Sequence, residues 1–216
     1  MKKIFFAAGL LLMGTTLFAQ SEKYLNAMQA NISALDTSFK DPQNLLNVAA
    51  RFERIADKEK SQWLPYYWAG YCQVVYTYLI QDKSTIDPLA DKAELLLKKA
   101  DSLQPNNSEI SCVFSMLATA RMLVDPMTRY ATYGTMSDNY LSKAILQNPE
   151  NPRPYYLRGQ GLRYTPEQFG GGCKAAINLL KEADEKFKAF KPASDIDPNW
   201  GEEQTRKLIS DCNQTP

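Results

Sequence analysis

The sequence predicts an all-α fold in which antiparallel helix pairs stack into an irregular superhelix. Three observations lead to this prediction. Apolar residues recur every three or four positions almost throughout, Asp-Pro dipeptides punctuate the chain, and pairs of small residues seven positions apart repeat. No segment shows the strict alternation of apolar and polar residues that is typical of a half-buried strand.

The Asp-Pro dipeptides predict where helices begin. They start at residues 41, 87, 125 and 197, and Thr165-Pro166 is a variant of the same signal. An Asp side chain before a helix accepts a hydrogen bond from a free backbone N–H, and a proline in the first turn has no N–H to satisfy. Together with the apolar periodicity, these signals predict helices over residues 22–36, 42–58, 62–81, 88–103, 108–123, 126–148, 153–164, 173–190 and 198–213.

Pairs of small residues indicate that these helices approach one another closely. The pairs are Ala49 with Ala56, Ala93 with Ala100, Ser137 with Ala144, and Ala176 with Ala183, and a large apolar residue (Phe52, Leu97, Leu141 or Leu180) lies between the members of each pair. Small side chains two helical turns apart leave room for a neighbouring backbone. The pattern therefore predicts a repeated helix-on-helix contact.

The first twenty residues read as a cleaved secretory signal peptide. Lys2 and Lys3 precede an apolar run over residues 4–13, and the chain turns polar at Ser21. The apolar run is shorter than the roughly 20 residues that a membrane span needs. We therefore expect an exported protein, a single domain over residues 21–216 with no membrane anchor after cleavage, in the periplasm, with full secretion as the alternative.

Composition excludes several classes of function. The 216 residues include no histidine, which rules out a Ser-His-Asp triad and a His-ligated metal. Removing the two signal lysines from 25 basic residues leaves 23 against 24 acidic ones, a balance that argues against a nucleic-acid partner. Neighbouring carboxylates such as Glu202-Glu203 lie beside apolar helix positions, as on a solvated helix face, and the phosphate-loop motif is absent from the sequence. We expect no catalytic residue, no cofactor and no metal site, and hence a protein that is not an enzyme.

The four cysteines read differently in an exported protein, where an even count favours disulfides. If the helices over 173–190 and 198–213 pack antiparallel, the first residue of one, Cys173, lies beside the end of the other, Cys212. This arrangement predicts a Cys173–Cys212 bridge. Cys72 and Cys112 fall in the first helices of adjacent repeat units, which predicts a second bridge, with free buried thiols as the alternative.

The repeat resembles the tetratricopeptide repeat, a helix-turn-helix unit with an aromatic and a glycine in its first helix, two alanines in its second and a closing proline. Tyr66, Gly70, Ala93, Ala100 and Pro105 match those roles in one unit, and Tyr155, Gly159, Ala176 and Ala183 match them in the last. The resemblance implies repeat units at about 42–65, 66–107, 108–151 and 152–190, followed by the helix at 198–213. In this family the first helices line a concave binding surface.

A narrower likeness concerns the last third of the chain. Residues 164–173, with Phe169 before three glycines, and the later stretch Pro198-Asn199-Trp200-Gly201 are similar to the T-component proteins of TRAP transporters, periplasmic helical proteins associated with ligand handling. Independently, Gly170 to Gly172 predict a wide turn with positive φ rather than a phosphate loop. Phe169 is expected to anchor that turn as a buried plug.

The candidate binding residues are aromatic and basic side chains of the first helices. The helix over 62–81 is unusually aromatic, which indicates either a buried central helix or a groove lined by tyrosines. The candidate groove residues are Tyr67, Tyr71, Tyr78, Arg121, Tyr155 and Arg158. The sequence therefore predicts a non-catalytic exported protein that binds a protein or peptide as an interaction module or scaffold. The alternative is a periplasmic small-molecule-binding accessory protein of an envelope transport system.

Overall fold

The computed structural model describes residues 21–38 and 41–214, so the predicted signal peptide at 1–20 lies outside the described residues. In this part of the chain every regular element is helical, which confirms the all-α prediction. The α-helices are α1 (Glu22–Ser38), α2 (Pro42–Lys58), α3 (Trp63–Leu79), α4 (Ile86–Leu103), α5 (Ser108–Val124), α6 (Pro126–Arg129), α7 (Thr135–Gln147), α8 (Arg153–Tyr164), α9 (Cys173–Ala189) and α10 (Glu202–Gln214). Short 3-10 turns cover Lys83–Thr85 and Glu167–Phe169, and a π-helical stretch covers Tyr130–Gly134.

Neighbouring helices pack as pairs that stack on one another. The pairs are α1 with α2, α3 with α4, α5 with α7, and α8 with α9, and α10 packs across α9 and α8. Across the pairs, α3 contacts α5, and α5 contacts α8. We therefore call α3, α5 and α8 the inner helices, and α4, α7 and α9 the outer helices.

Small residues bring the two helices of a pair together, as the repeat pattern predicts. Both alanines of the pairs in α4 and α9 are fully buried, and so are Leu97 and Leu180 between them. A Cβ atom on Gly70 would lie 2.9 Å from the side chain of Leu97, and one on Gly159 would lie 2.8 Å from Leu180. Each leucine therefore fits against bare inner-helix backbone, a contact that a larger residue would prevent.

The stretch predicted as one helix over 126–148 is divided into α6, the π-helical stretch and α7. Asp125 caps α6 as expected, because its carboxylate accepts from the Thr128 N–H at 3.4 Å. One turn later the Arg129 side chain pairs with Asp87 at 2.8 Å and also donates to the Arg121 carbonyl. These bonds hold α6 against the start of α4 and the end of α5, so α7 begins only after a π-helical turn.

Two Asp-Pro signals do not begin helices at the predicted residue. Asp87 lies in the first turn of α4, which already starts at Ile86, and its carboxylate bonds Arg129 instead of capping. Asp197-Pro198 belongs to a non-helical segment, and α10 starts at Glu202. Here the Pro198 carbonyl accepts a hydrogen bond from a buried arginine of α8. Gly201 has a φ of +106°, which lies outside the range of a right-handed α-helix, so α10 begins only after this residue.

Residues 190–201, which we call the return segment, run from α9 back across the inner helices. The Trp68 indole N–H of α3 donates to the Ile196 carbonyl at 2.9 Å, and the Ile196 side chain is buried in the main core. The Trp200 indole donates to the Tyr67 hydroxyl at 2.8 Å and its ring stacks on Tyr71 with centroids 5.1 Å apart. The return segment thus joins the first helix pairs to the last.

Candidate ligand-binding surface

The three inner helices run parallel, so their C-terminal ends lie at the same end of the stack. At the starts of α8 and α5, Arg153 pairs with Glu109 at 2.8 Å. Toward the other end, the Tyr78 hydroxyl of α3 donates to the Met116 carbonyl of α5. We call the region at the C-terminal ends of α3, α5 and α8, together with the turns that follow α3 and α8 and the stretch from α6 to the first turn of α7, the inner-helix end.

The aromatic residues in the first half of α3 form core rather than groove. Tyr67 and Tyr71 are buried, since Trp200 of the return segment bonds the first and stacks on the second. Trp68 is also buried and packs edge-on against both tyrosines. The prediction that Tyr67 and Tyr71 line an open groove is therefore corrected, because the return segment covers the face on which an open groove would lie.

Two further tyrosines of the inner helices, Tyr78 near the end of α3 and Tyr156 near the start of α8, have hydrogen-bonded hydroxyls. Tyr78 donates to the Met116 carbonyl, and the Tyr156 hydroxyl of α8 accepts from Gln160 at 2.8 Å. Burial of the hydroxyl groups raises the pKa of both phenols well above the ordinary value of 10.0, and the proximity of Tyr156 adds to the effect on Tyr78, although 36% of Tyr78 is exposed. Both hydroxyls therefore remain protonated and uncharged, and their role is to form hydrogen bonds within and between the inner helices.

The other three predicted groove residues are engaged in contacts between helices. Arg121 donates to Asp91 and Glu94 of α4 at 2.8 and 2.7 Å, and Arg158 bonds Asp138 of α7 at 2.8 Å. The Tyr155 hydroxyl donates to the Pro149 carbonyl, and the ammonium group of Lys186 lies 4.9 Å from its ring centroid. These side chains brace neighbouring helices, and the structure does not gather them with Tyr78 into one site.

Exposed apolar side chains concentrate at the inner-helix end instead. The large apolar residues that are exposed there are Tyr78, Leu79, Leu123, Met127, Tyr130, Met136, Tyr164 and Phe169. In the described part of the chain only two other large apolar side chains, Leu95 of α4 and Leu146 of α7, are comparably exposed. Exposed apolar surface of this kind marks binding sites. Sequence periodicity missed most of these residues, because it gives the core-facing stripe of a helix but not which helix ends stay uncovered.

The glycine turn after α8 places two of these aromatic rings. Gly170 and Gly172 have φ values of +83° and +89°, which confirms the predicted turn with positive φ. The Gly172 N–H donates to the Leu162 carbonyl at 2.9 Å, so the turn folds back on α8. Phe169 is 67% exposed, so the prediction that it acts as a buried plug is wrong, and backbone hydrogen bonds close the turn instead.

Two small clefts border this architecture. One, of about 210 Å³, lies between the end of α1 and the start of α10 and is lined by Trp68, Tyr71 and Trp200 among others. The other, of about 260 Å³, lies between the end of α8 and the glycine turn and is lined by Arg163, Tyr164 and Glu167 among others. Both are smaller than the roughly 300–1,000 Å³ of pockets that enclose drug-sized ligands. A larger ligand would therefore rest on the exposed surface.

The buried pair of Glu109 and Arg153 was not foreseen from the sequence. The Arg153 side chain is 1% exposed, donates to Glu109 and to the Pro198 carbonyl, and packs over the ring of Phe190. Burial raises the pKa of Glu109 to about 7, although Arg153 counteracts the shift. This pair fastens the return segment to α5 and α8. Local spacing gave no signal for it, because its partners lie more than 40 residues apart.

The cysteines divide into one bridge and two thiols. Cys173 and Cys212 form a disulfide with Cα atoms 5.2 Å apart, which confirms the predicted bridge between α9 and α10. Cys72 and Cys112 are free and buried, so the predicted second bridge is wrong. Cys72 belongs to the main core cluster, whereas Cys112 follows Glu109 by one turn, and its thiol lies in the electrostatic environment of that carboxylate and of Arg153. The two thiols therefore face different surroundings.

Neither a metal-binding cluster nor a candidate membrane span occurs in the described residues. Across 21–38 and 41–214, His, Cys, Asp and Glu side chains form no group of three that could hold a metal ion. Within the same ranges, no helix combines the length and the apolar character that crossing a membrane requires.

The chain is similar to a known protein of solved structure. No family model matches it, and no curated protein matches it. Among solved structures it is similar to the HusA haemophore from Porphyromonas gingivalis, with 38% sequence identity and a TM-score of 0.80 over 91% of this chain and 97% of the HusA chain. The chain belongs to the HusA haemophore family. Because each chain covers the other nearly end to end, the relationship to HusA concerns the whole helical stack rather than one helix pair.

Proposed function

We propose that this chain is an exported haem-binding protein that holds the porphyrin on the apolar surface of the inner-helix end. The observation that carries the proposal is the 38% identity with the HusA haemophore across nearly the whole of both chains. This function corresponds to the small-molecule interpretation of the sequence and replaces protein scaffolding as the leading one. The signal-peptide pattern and the disulfide support export, because disulfides persist in oxidising compartments.

The inner-helix end suits a flat apolar ligand. Its exposed side chains include three phenol rings, one phenyl ring and two thioethers, and Tyr130, Tyr164 and Phe169 are each more than 60% exposed. Aromatic rings and flexible methionines give a porphyrin face a large contact area. Burying each such side chain contributes roughly 1.5–3 kcal/mol. The feature of the inner-helix end that supports the proposal is therefore its open apolar surface, on which a porphyrin face can pack, and not an enclosed cavity.

The side chains at the inner-helix end limit which residues can act as ligands of the haem iron. Proteins bind haem iron through His, Cys, Met or Tyr side chains, and this chain has no histidine. Both free thiols are buried within the helix stack. The most exposed of the remaining donors at the inner-helix end are the phenols Tyr130 and Tyr164 and the thioethers Met127 and Met136. Among these donors, we expect a tyrosine oxygen to bind ferric haem.

Titration with haemin, followed by Soret absorbance, tests the proposal. Tyr130→Ser and Tyr164→Ser should each weaken haemin binding about tenfold, because each removes apolar contact worth at least about 1.4 kcal/mol. Leu95→Ser and Leu146→Ser are matched controls, since these leucines are 71% and 85% exposed on outer helices. Both controls should bind haemin as the unchanged protein does.

Phenylalanine variants separate coordination from packing. Tyr130→Phe and Tyr164→Phe keep the ring, so the variant of the coordinating tyrosine should alter the haemin spectrum with a smaller loss of affinity. The proposal is overturned when the unchanged protein fails to bind haemin. It is equally overturned when serine variants at the inner-helix end lose no more affinity than the outer-helix controls.

A further inference from the structure

Arg163 at the end of α8 differs from the arginines around it in having no carboxylate partner. From α5 to the end of the described chain, Arg121, Arg129, Arg153, Arg158 and Arg206 each form an ion pair with a carboxylate at 3.1 Å or closer. Within the same part of the chain, no carboxylate lies within 4.0 Å of the Arg163 guanidinium group. Its Nε atom is also buried without a hydrogen-bond partner.

An unpaired, half-buried guanidinium group destabilises the folded protein unless an anion neutralises its charge. A buried donor left without an acceptor costs about 1–3 kcal/mol, and more when the group is charged. Such a group therefore favours any anion that reaches it. Arginine in particular binds carboxylates through two parallel hydrogen bonds.

The surroundings of Arg163 form a preformed cleft beside the aromatic surface. The guanidinium carbon lies 6.0 Å from the ring centroid of Tyr164, which is 69% exposed, and both residues line the cleft of about 260 Å³. The glycine turn forms the opposite wall, and Cys173 behind it is fixed to α10 by the disulfide. An apolar platform and a free cation are thus held side by side.

We propose that Arg163 binds a carboxylate of the porphyrin ligand and thereby selects porphyrins with free propionates over their esters. The inference rests on the proposed function, because it assigns a role at the same inner-helix end. Haem carries two propionate carboxylates at one edge of an apolar ring. With the ring against Tyr164, one propionate reaches the guanidinium group while the rest of the porphyrin covers the apolar surface.

Glu167 lies in the same cleft as Arg163, and its negative charge allows a second test of the site. Its side chain lines the same cleft and packs against Gly172, but its carboxylate does not pair with Arg163. A carboxylate there repels a bound propionate. Glu167→Gln should therefore strengthen binding of the free acid, whereas removal of Arg163 should weaken it.

The test compares haemin with haemin dimethyl ester in one mixed aqueous–organic buffer. Arg163→Gln should weaken haemin binding about tenfold and leave ester binding within about twofold, in keeping with the loss of a charge-assisted hydrogen bond. Arg163→Lys should restore part of the affinity for haemin. Arg158→Gln is the matched control, because Arg158 lies on the same helix but pairs with Asp138.

The outcomes separate this inference from the function on which it rests. If haemin binds the unchanged protein and Arg163→Gln leaves the ratio of haemin to ester affinity unchanged, the role of Arg163 is overturned and haem binding stands. If neither porphyrin binds the unchanged protein, both proposals fall. The inference is supported if Arg163→Gln lowers the affinity for haemin but not for the ester. Glu167→Gln should then have the opposite effect and raise the affinity for haemin.

Discussion

The buried pair of Glu109 and Arg153 shows how single residues hold distant parts of this chain together. One arginine side chain bonds the carboxylate of α5 and the Pro198 carbonyl of the return segment. The second Glu109 oxygen is buried without a hydrogen-bond partner, so part of the carboxylate charge remains uncompensated. Removal of the carboxylate from water by burial is the main reason that the pKa of Glu109 is raised although an arginine lies beside it.

The raised pKa of Glu109 predicts a pH dependence of stability. Its folded-state pKa of about 7 exceeds the ordinary value of 4.5, so the native state binds this proton more tightly than the unfolded chain does. The resulting stabilisation is complete below about pH 4.5 and is lost as the pH rises through 7. Relative to Glu109→Gln, the unchanged protein should lose about 3 kcal/mol in free energy of unfolding between pH 4.5 and 8. Urea unfolding at a series of pH values measures this difference.

The control for this measurement is Glu182→Gln, which removes an exposed carboxylate of α9. Its stability should follow the unchanged protein at every pH. Parallel pH profiles for the unchanged protein and Glu109→Gln would show that the Glu109 carboxylate titrates normally, and would contradict the raised pKa.

The two arginines that the sequence suggested as groove residues form ion pairs between helices. Arg121 and Arg158 were predicted to face a partner, but both lie opposite acidic residues of a neighbouring helix. Helical periodicity places them on a polar face and cannot say whether that face meets solvent or another helix. The unpaired Arg163 becomes visible only once the carboxylate partners of the other arginines from α5 onwards are known.

At the scale of elements, the glycine turn after α8 is the feature that the sequence predicted best. Three consecutive glycines favour positive φ, and two of them adopt it. The sequence could not give the direction of Phe169, because side-chain burial depends on which elements pack over the turn. The Arg163 cleft depends on the shape of this turn.

A matched pair of glycine substitutions tests the turn. A Cβ on Gly171 would lie 2.0 Å from the Thr165 carbonyl oxygen, so Gly171→Ala should destabilise the protein by about 2 kcal/mol and distort the cleft. Gly161 in α8 has nothing within 4 Å of its Cβ position. Gly161→Ala should therefore stabilise the protein by about 0.5–1 kcal/mol, since alanine is the better helix former. Thermal unfolding of both variants provides the comparison, and equal shifts would contradict the close approach of Gly171 to Thr165.

At the scale of the whole molecule, local sequence signals predicted the helices and the packing within pairs. Ala93 and Ala176 are buried where the small-residue pattern requires, and the bridge of Cys173 to Cys212 follows from the antiparallel packing of α9 and α10. The return segment was not predictable in this way. Its bond from Trp68 to Ile196 spans 128 residues and leaves no local periodicity. By filling the groove beside α3, this segment leaves the inner-helix end as the open apolar surface.

The most direct test of haem binding at the inner-helix end is paramagnetic broadening of backbone amide resonances by ferric haemin, with a diamagnetic gallium porphyrin as reference. The proposed site predicts that amides of residues 123–136 and 163–172 lose intensity at substoichiometric haemin, while amides around Leu95 and Leu146 keep theirs. Broadening centred on the outer helices or on the return segment, with sharp resonances at the inner-helix end, would contradict it.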